Sequence, residues 1–223
     1  MGVIDTFFNL RVLGETLPLV LSGLWVTVLL GAASILLGNA GGLALAVARV
    51  YGRRWLRTIA VAYIDVFRAI PLLVLLIVIY YALPFVGVRL SPFAAATSAI
   101  SLVAAAYSAE IFRAGIEAVP SGQINASRAL GLHWWLTFRL VVLPQAVRII
   151  VPPLTGNSIN VIKDTALASV VALPDLLKQA TQAQALAANP SPLIGAALIY
   201  LVILLPLVRA VARLERRHAA ARR

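Results

Sequence analysis

Few residues in this chain are equipped for chemistry. It has no cysteine, which excludes disulfides, thiolate metal sites and cysteine nucleophiles. Its two histidines, His133 and His218, are too far apart in sequence to suggest a metal cluster, and no nucleophile–histidine–acid set is visible. Neither Lys163 nor Lys178 follows a glycine, so a phosphate-cradling loop of the form G-x-x-x-x-G-K-[ST] is absent. Any nucleotide chemistry must reside on another chain. What remains are isolated polar groups in apolar surroundings. Asp65 and Arg68 are three apart and share a helical face, and Lys163 adjoins Asp164 close to Asn157, Asn160 and Thr165.

The surroundings decide how those groups are read. The 223 residues are 61% hydrophobic and 12% charged, about half the charged share of a soluble domain, so a bilayer is the natural solvent. A net charge of +11 would suggest nucleic acid only on a basic face of a soluble fold. Here the arginines fall between and after apolar runs, which points to membrane topology and anionic lipid instead, with no nucleic acid. Asp5 and Glu15 flank Arg11, and no short apolar run ends in a small-residue cleavage pattern. The first apolar segment is therefore expected to be retained as an anchor.

The apolar runs predict an all-α polytopic membrane protein with about five transmembrane helices, at 18–47, 58–86, 92–110, 144–162 and 192–209, in a single domain of residues 1–223. Gly38 and Gly42 form a G-x-x-x-G that permits close helix contact and is read as packing. Trp55–Arg68 is expected to be an elbow helix that turns into its span at Ala69-Ile70-Pro71, and Pro152-Pro153 with Gly156-Asn157 are expected to break the fourth span. Arg49, Arg53, Arg54, Arg57, Arg113, Arg128, Arg139, Arg213, Arg216, Arg217, Arg222 and Arg223 fall on one side, and only Arg11, Arg89 and Lys178 on the other. Basic connections stay in the cytoplasm, which puts the N-terminus outside and the C-terminus inside.

The longest cytoplasmic connection, about residues 113–143, is the informative one. Pro120, Ser121 and Gly122 should end the helix leaving the third span, and Gln123–Leu130 should form a short helix stopped by Gly131. Eight residues span only about 12 Å, so this helix needs something to dock against. Trp134 and Trp135 then return the chain to the membrane interface. From the residues alone, the loop is either a connector with interfacial anchors or a docking element for a partner.

Its pattern also carries a resemblance. Gly131 is followed by nine residues and then Val141-Val142-Leu143-Pro144, and Asn125-Ala126-Ser127 stands three residues before the glycine. Phe67-Arg68-Ala69-Ile70-Pro71, Ala109-Glu110-Ile111-Phe112-Arg113 and Ile162-Lys163-Asp164-Thr165 occur elsewhere in the chain. In this order, these segments resemble the EAA loop and flanking motifs of ABC importer permeases of the polar amino acid uptake branch.

The resemblance implies a type I (MetI-like) permease fold and a pore-forming subunit for polar amino acids in the bacterial inner (plasma) membrane. Such a subunit is not itself an enzyme. Its partners would be an ABC ATPase dimer carrying ATP and magnesium, a second permease subunit (identical or sister), a periplasmic or lipid-anchored solute-binding protein, the amino acid substrate and membrane lipid. No cofactor is expected on this chain. ATPase coupling is implied for Gln123, Asn125, Ala126, Ser127, Arg128, Gly131, Leu143 and Pro144. The family's glutamate is Asn125 here, which removes a charge, so docking is expected to rest on helix shape and on Gln123, Ser127 and Arg128. A permease for another small solute and a passive channel or facilitator are the alternatives, and a membrane enzyme is a poorer one.

Two further expectations concern intramembrane charge. Asp65 and Arg68 are read as a mutual ion pair in preference to solute contacts. Asn157, Asn160, Lys163, Asp164 and Thr165 are expected either near the substrate path, because irregular backbone at membrane depth must be covered by protein or a water-filled cavity, or in a structural turn at the outer boundary. Leu173–Pro190 is polar enough for an outer surface helix.

Overall fold

The computed structural model describes Gly2 and residues 6–220, with side chains through Arg213. Asp5, Arg222 and Arg223, and the side chains of Arg216, Arg217 and His218, lie outside the described residues. Helix α1 is Leu10–Tyr51, α2 is Arg54–Ala69 and α3 is Leu72–Val86. Helix α4 is Pro92–Glu117, α5 is Ser121–Ala129 and α6 is Trp134–Val171. Helix α7 is Leu176–Ala187 and α8 is Ser191–Ala220.

Among the described residues, α1, α4, α6 and α8 are each long and apolar enough to cross a membrane, and the broken pair α2–α3 meets the same test jointly. This agrees with about five spans. The elbow forms where the sequence places it. Proline disfavours helical backbone at the residue before it, so α2 stops at Ala69, and Pro71 caps α3 in an extended conformation. Helix α1 is longer than expected: its 42 residues reach roughly 63 Å, about twice the hydrocarbon thickness.

Helix α4 leaves the third span and continues to Glu117, short of Pro120 as expected, and Ile111, Phe112 and Ile116 pack onto a core of Val119, Val142, Ala146 and Ile150. One expectation is corrected. Helix α6 is not broken at Pro152-Pro153 or Gly156-Asn157, which lie within the continuous α-helical stretch Leu143–Asp164. The prolines remove two backbone donors, those that would reach the Arg148 and Ile149 carbonyls, and the helix runs on through them. The irregular backbone lies elsewhere, in a π turn at Phe138–Val142 and a 3-10 stretch at Thr165–Val171.

The chain divides into two compact units. One takes residues up to Leu36 with Ile70–Ser101 and Ile159–Val208, and the other takes Leu37–Ala69, Leu102–Ser158 and the residues from Arg209. In the first unit Val20, Leu176, Ala180, Ala183 and Ala196 form the core, so α7 buries one full face. A Cβ on Gly23 would lie 2.4 Å from the Asp175 carbonyl oxygen, so this approach of α1 to the start of α7 admits only glycine. In the second unit the Gly38–Gly42 pair packs as expected. Added Cβ atoms there would lie 2.6 Å from the Ala104 Cβ and 2.5 Å from the Ser108 Cβ. Both contacts advance by four residues, so within this unit α1 and α4 run in the same direction.

Candidate functional site

Helix α5 is positioned entirely by its own unit. Helix α4 stops at Glu117, and Pro120 precedes α5, so Ser121 and Gly122 begin this helix where the sequence suggested a break. At its other end Gly131 takes φ +82°. The Leu132 N–H reaches the Ser127 carbonyl at 3.2 Å and the Gly131 N–H that of Arg128 at 3.0 Å, a Schellman termination that only a residue at ease with positive φ closes without strain. The stop expected at Gly131 is thus present, with its mechanism.

One side of α5 faces its own chain. Ile124 packs on the Val119–Val142–Ala146 core. Ser127 is 4% exposed, and its hydroxyl lies within hydrogen-bond reach of the Ile124 carbonyl at 2.8 Å and the Thr137 hydroxyl at 3.2 Å. The Gln145 amide donates to the Gln123 side-chain oxygen at 2.6 Å. Asn125, Ala126, Arg128 and Ala129 are exposed, and Leu130 is 83% exposed. This corrects one expectation: Ser127 is turned inward and cannot grip a partner.

Leu143 and Pro144 act through the backbone. Pro144 has no N–H to give the Leu140 carbonyl, and the helix places its π turn, Phe138–Val142, immediately upstream. There the ring of Phe138 stacks on Trp134 at 5.6 Å, and Tyr51, at the end of α1, meets Trp134 edge-on at 5.5 Å. The tie of Trp134 to Tyr51 was not legible in the sequence.

The polar contacts of this unit differ from those the sequence suggested. Asp65 and Arg68 do not form an ion pair. Arg68 instead places its guanidinium 5.4 Å from the centre of the Tyr107 ring, and Asp65 is exposed. A spacing of three shows only that two side chains share a face, and here a tertiary aromatic partner wins. The ion pairs belong to Glu110, met by Arg49 and Arg113, and to Glu117, met by Arg113. Ser108 donates to Asn39 at 2.8 Å and accepts from Asn157 at 3.1 Å, so Asn157 joins a structural link between helices.

In the other unit, Asn160 and Lys163 are exposed and Asp164 is half-buried. Lys163 edges an open, largely apolar groove of about 470 Å³ with Ala166, Tyr200, Leu201 and Leu204. Thr165 differs from these. It is fully buried, bonds to the Ile162 carbonyl at 2.7 Å and packs against Gly31, so its role is packing. Sequence reasoning missed Asp175, which caps α7 by accepting the Lys178 N–H at 2.9 Å, while its second oxygen has no protein partner. Burial pushes its carboxyl up to about 6, against the pull of that N–H bond. The signal was present as an aspartate followed by a helical run. Among the described residues, no group of three or more His, Asp and Glu is placed to hold a metal ion.

These helices and their exposed, glycine-capped segment define a polytopic permease of the type I ABC importer fold. The chain belongs to the family of binding-protein-dependent transport system inner membrane components, whose model matches residues 38–219. It is similar to the probable amino-acid ABC transporter permease protein YckA of Bacillus subtilis (strain 168), at 38% identity over 79% of this chain and 78% of that one. The probable glutamine ABC transporter permease protein GlnM of the same organism is 34% identical over 94% of this chain and 97% of its own length. A solved amino acid ABC transporter with histidines superposes with a TM-score of 0.88 at 35% identity, covering 97% of this chain and all of that one.

Proposed function

We propose that this chain is the pore-forming subunit of an importer that carries polar amino acids across the bacterial inner membrane. In this reading a separate ATPase dimer, binding ATP and magnesium, grips α5 from the cytoplasm. A second permease subunit completes the pore, and a solute-binding protein delivers substrate outside. The arginine distribution supports an outer N-terminus and a cytoplasmic C-terminus. The substrate class rests on relatives and a solved neighbour named for amino acids.

The observation that carries the reading is the division of α5. Ile124 and Ser127 hold it to its own chain, and Asn125, Ala126, Arg128 and Leu130 are left uncovered. An apolar Leu130 beside polar neighbours suits a cleft of another protein, and Asn125 offers hydrogen bonds without charge. On the substrate side, Asn160, Lys163 and Asp164 provide an amide, a cation and a carboxylate, complementary to the two charged ends of an amino acid.

The test is reconstitution of the permease with its ATPase and binding protein in liposomes. Uptake should require ATP and the binding protein. Gly131→Val, which forces a β-branched residue to φ +82°, should leave ATP hydrolysis running while uptake falls by about tenfold or more. Asp164→Ala should lower uptake, and unchanged uptake would remove Asp164 from the path. Flux without ATP would identify a passive facilitator, and failure of every amino acid with transport of another solute would identify a different importer class.

A further inference from the structure

Three residues separate the end of α4 from α5, and the last turns of α4 carry the densest ionic cluster among the described residues. One Glu110 carboxylate oxygen takes the Arg49 guanidinium from α1. The other accepts from Arg113 through Nη2 at 2.7 Å and Nε at 3.1 Å, and the remaining Arg113 nitrogen contacts Glu117. Two carboxylates and two guanidiniums balance in charge. The side chains of Glu110, Arg49 and Arg113 are 19%, 22% and 26% exposed, so the cluster is shielded more than a surface pair. Arg113 and Glu117 brace α4 along its own length. Arg49 alone reaches across to another helix, 61 residues away.

The same two helices are already in close contact at Gly38 on Ala104 and at Gly42 on Ser108. Those contacts fix their separation, and one neutral hydrogen bond, Ser108 to Asn39 at 2.8 Å, joins the two helices beside them. Glu110 adds a charge-assisted bond at the end nearest α5. Removing its charge leaves two arginines with only Glu117 between them, and an unmatched shielded cation is costly.

We propose that Glu110 is a positioning residue for coupling: through Arg49 it locks α1 to the stretch of α4 that leads into α5, so that displacement of α5 moves both helices together. This rests on the proposed role of α5. The physical content is a rigid connection between a driven element and a span, whose loss lets the two move independently.

The test uses the full complex in liposomes, reading uptake per ATP hydrolysed, assembly with the ATPase, and thermal stability. Glu110→Gln and Arg49→Gln should each assemble and hydrolyse ATP, with uptake per ATP down by about tenfold. The double variant should be no worse than either single one, because both remove the same contact. Arg49→Lys should recover much of the coupling, and Glu110→Asp provides a charged, minimally altered check if the amide variants unfold. The proposal is overturned if uptake per ATP is unchanged in the single variants, if their losses multiply in the double variant, or if Arg49→Lys and Glu110→Asp are as impaired as the neutral replacements. A wild-type complex with no ATP-dependent uptake would instead defeat the underlying reading, whatever the variants do.

Discussion

In the unit that carries α5, polar groups are committed to one another. Arg49, Glu110, Arg113 and Glu117 form one cluster, Asn39, Ser108 and Asn157 form another, and Ser127 is bonded to Thr137. The other unit contrasts with this. Ser34, Thr97, Ser101, Asp175 and Gln179 each bury an oxygen without a protein partner, and the ion pair among its described residues, Arg11–Glu15, is exposed. Its cohesion comes largely from close backbone approach, as where Gly23 meets the start of α7, with a few hydrogen bonds beside it such as the Leu176 N–H to the Thr27 hydroxyl at 3.0 Å. A buried polar atom without a partner costs about 1–3 kcal/mol, so the two halves reach stability by different routes. One is braced by directional bonds suited to transmitting displacement. The other is held by packing and keeps uncommitted acceptors along its helices.

Four measurements of thermal unfolding in detergent would break or sharpen this contrast. The largest effect is expected from Gly23→Ala, because the new methyl would lie 2.4–2.8 Å from backbone atoms of Asp175 and Leu176, which cannot rotate away. A loss of about 3 kcal/mol is expected, with no loss for Gly14→Ala, where nothing lies within 4 Å. If Gly23→Ala is harmless, packing does not hold this unit.

Asp175 comes next. Its carboxyl rises from 3.8 to about 6 on folding, so the folded state disfavours the ionised form. The resulting penalty is absent below about pH 4, grows as pH rises through about 6 and is complete above that. Wild-type stability should therefore decline over that range. Asp175→Asn keeps the helix cap, should remove the decline, and should be the more stable protein at pH 7.

In the braced unit, Ser127→Ala should cost about 1 kcal/mol by removing the bond to Thr137, which keeps only a long 3.5 Å contact to the Leu132 carbonyl. The smallest pair of effects concerns Arg68. Arg68→Met should lose about 0.5–1 kcal/mol with its contact to Tyr107, while Asp65→Asn should change little, because Asp65 supports nothing. A matched loss in both variants would restore the ion pair expected from their spacing.

What the sequence made legible was local. Gly131 reads as a helix stop because positive φ is a property of one residue and its neighbours, and Ile70-Pro71 reads as an elbow for the same reason. Gly38 and Gly42 read as a packing face without revealing that Ala104 and Ser108 lie against it. The misreadings were tertiary. Arg68 chose Tyr107 over a neighbour three residues away, and Glu110 found Arg49 from 61 positions earlier. Ser127 carried no sign of which side of a nine-residue helix would face inward. Pro152-Pro153 looked like a break because each proline removes a helical donor, yet the helix runs unbroken from Leu143 to Asp164.

The π turn at Phe138–Val142 has a consequence for how this protein tolerates insertion and deletion. Such a turn holds one residue more than an α-helical turn requires, as though a single residue had been inserted. Deleting one residue there should leave an unbroken regular helix whose flanks keep their faces, whereas the same deletion in a regular α-helical stretch rotates everything before it by about 100°. Trp134 would then stay against Tyr51 after a deletion in the π turn but swing away from it after one in the regular stretch Leu143–Asp164, so the π turn is where this helix can lose a residue at least cost to the aromatic cluster.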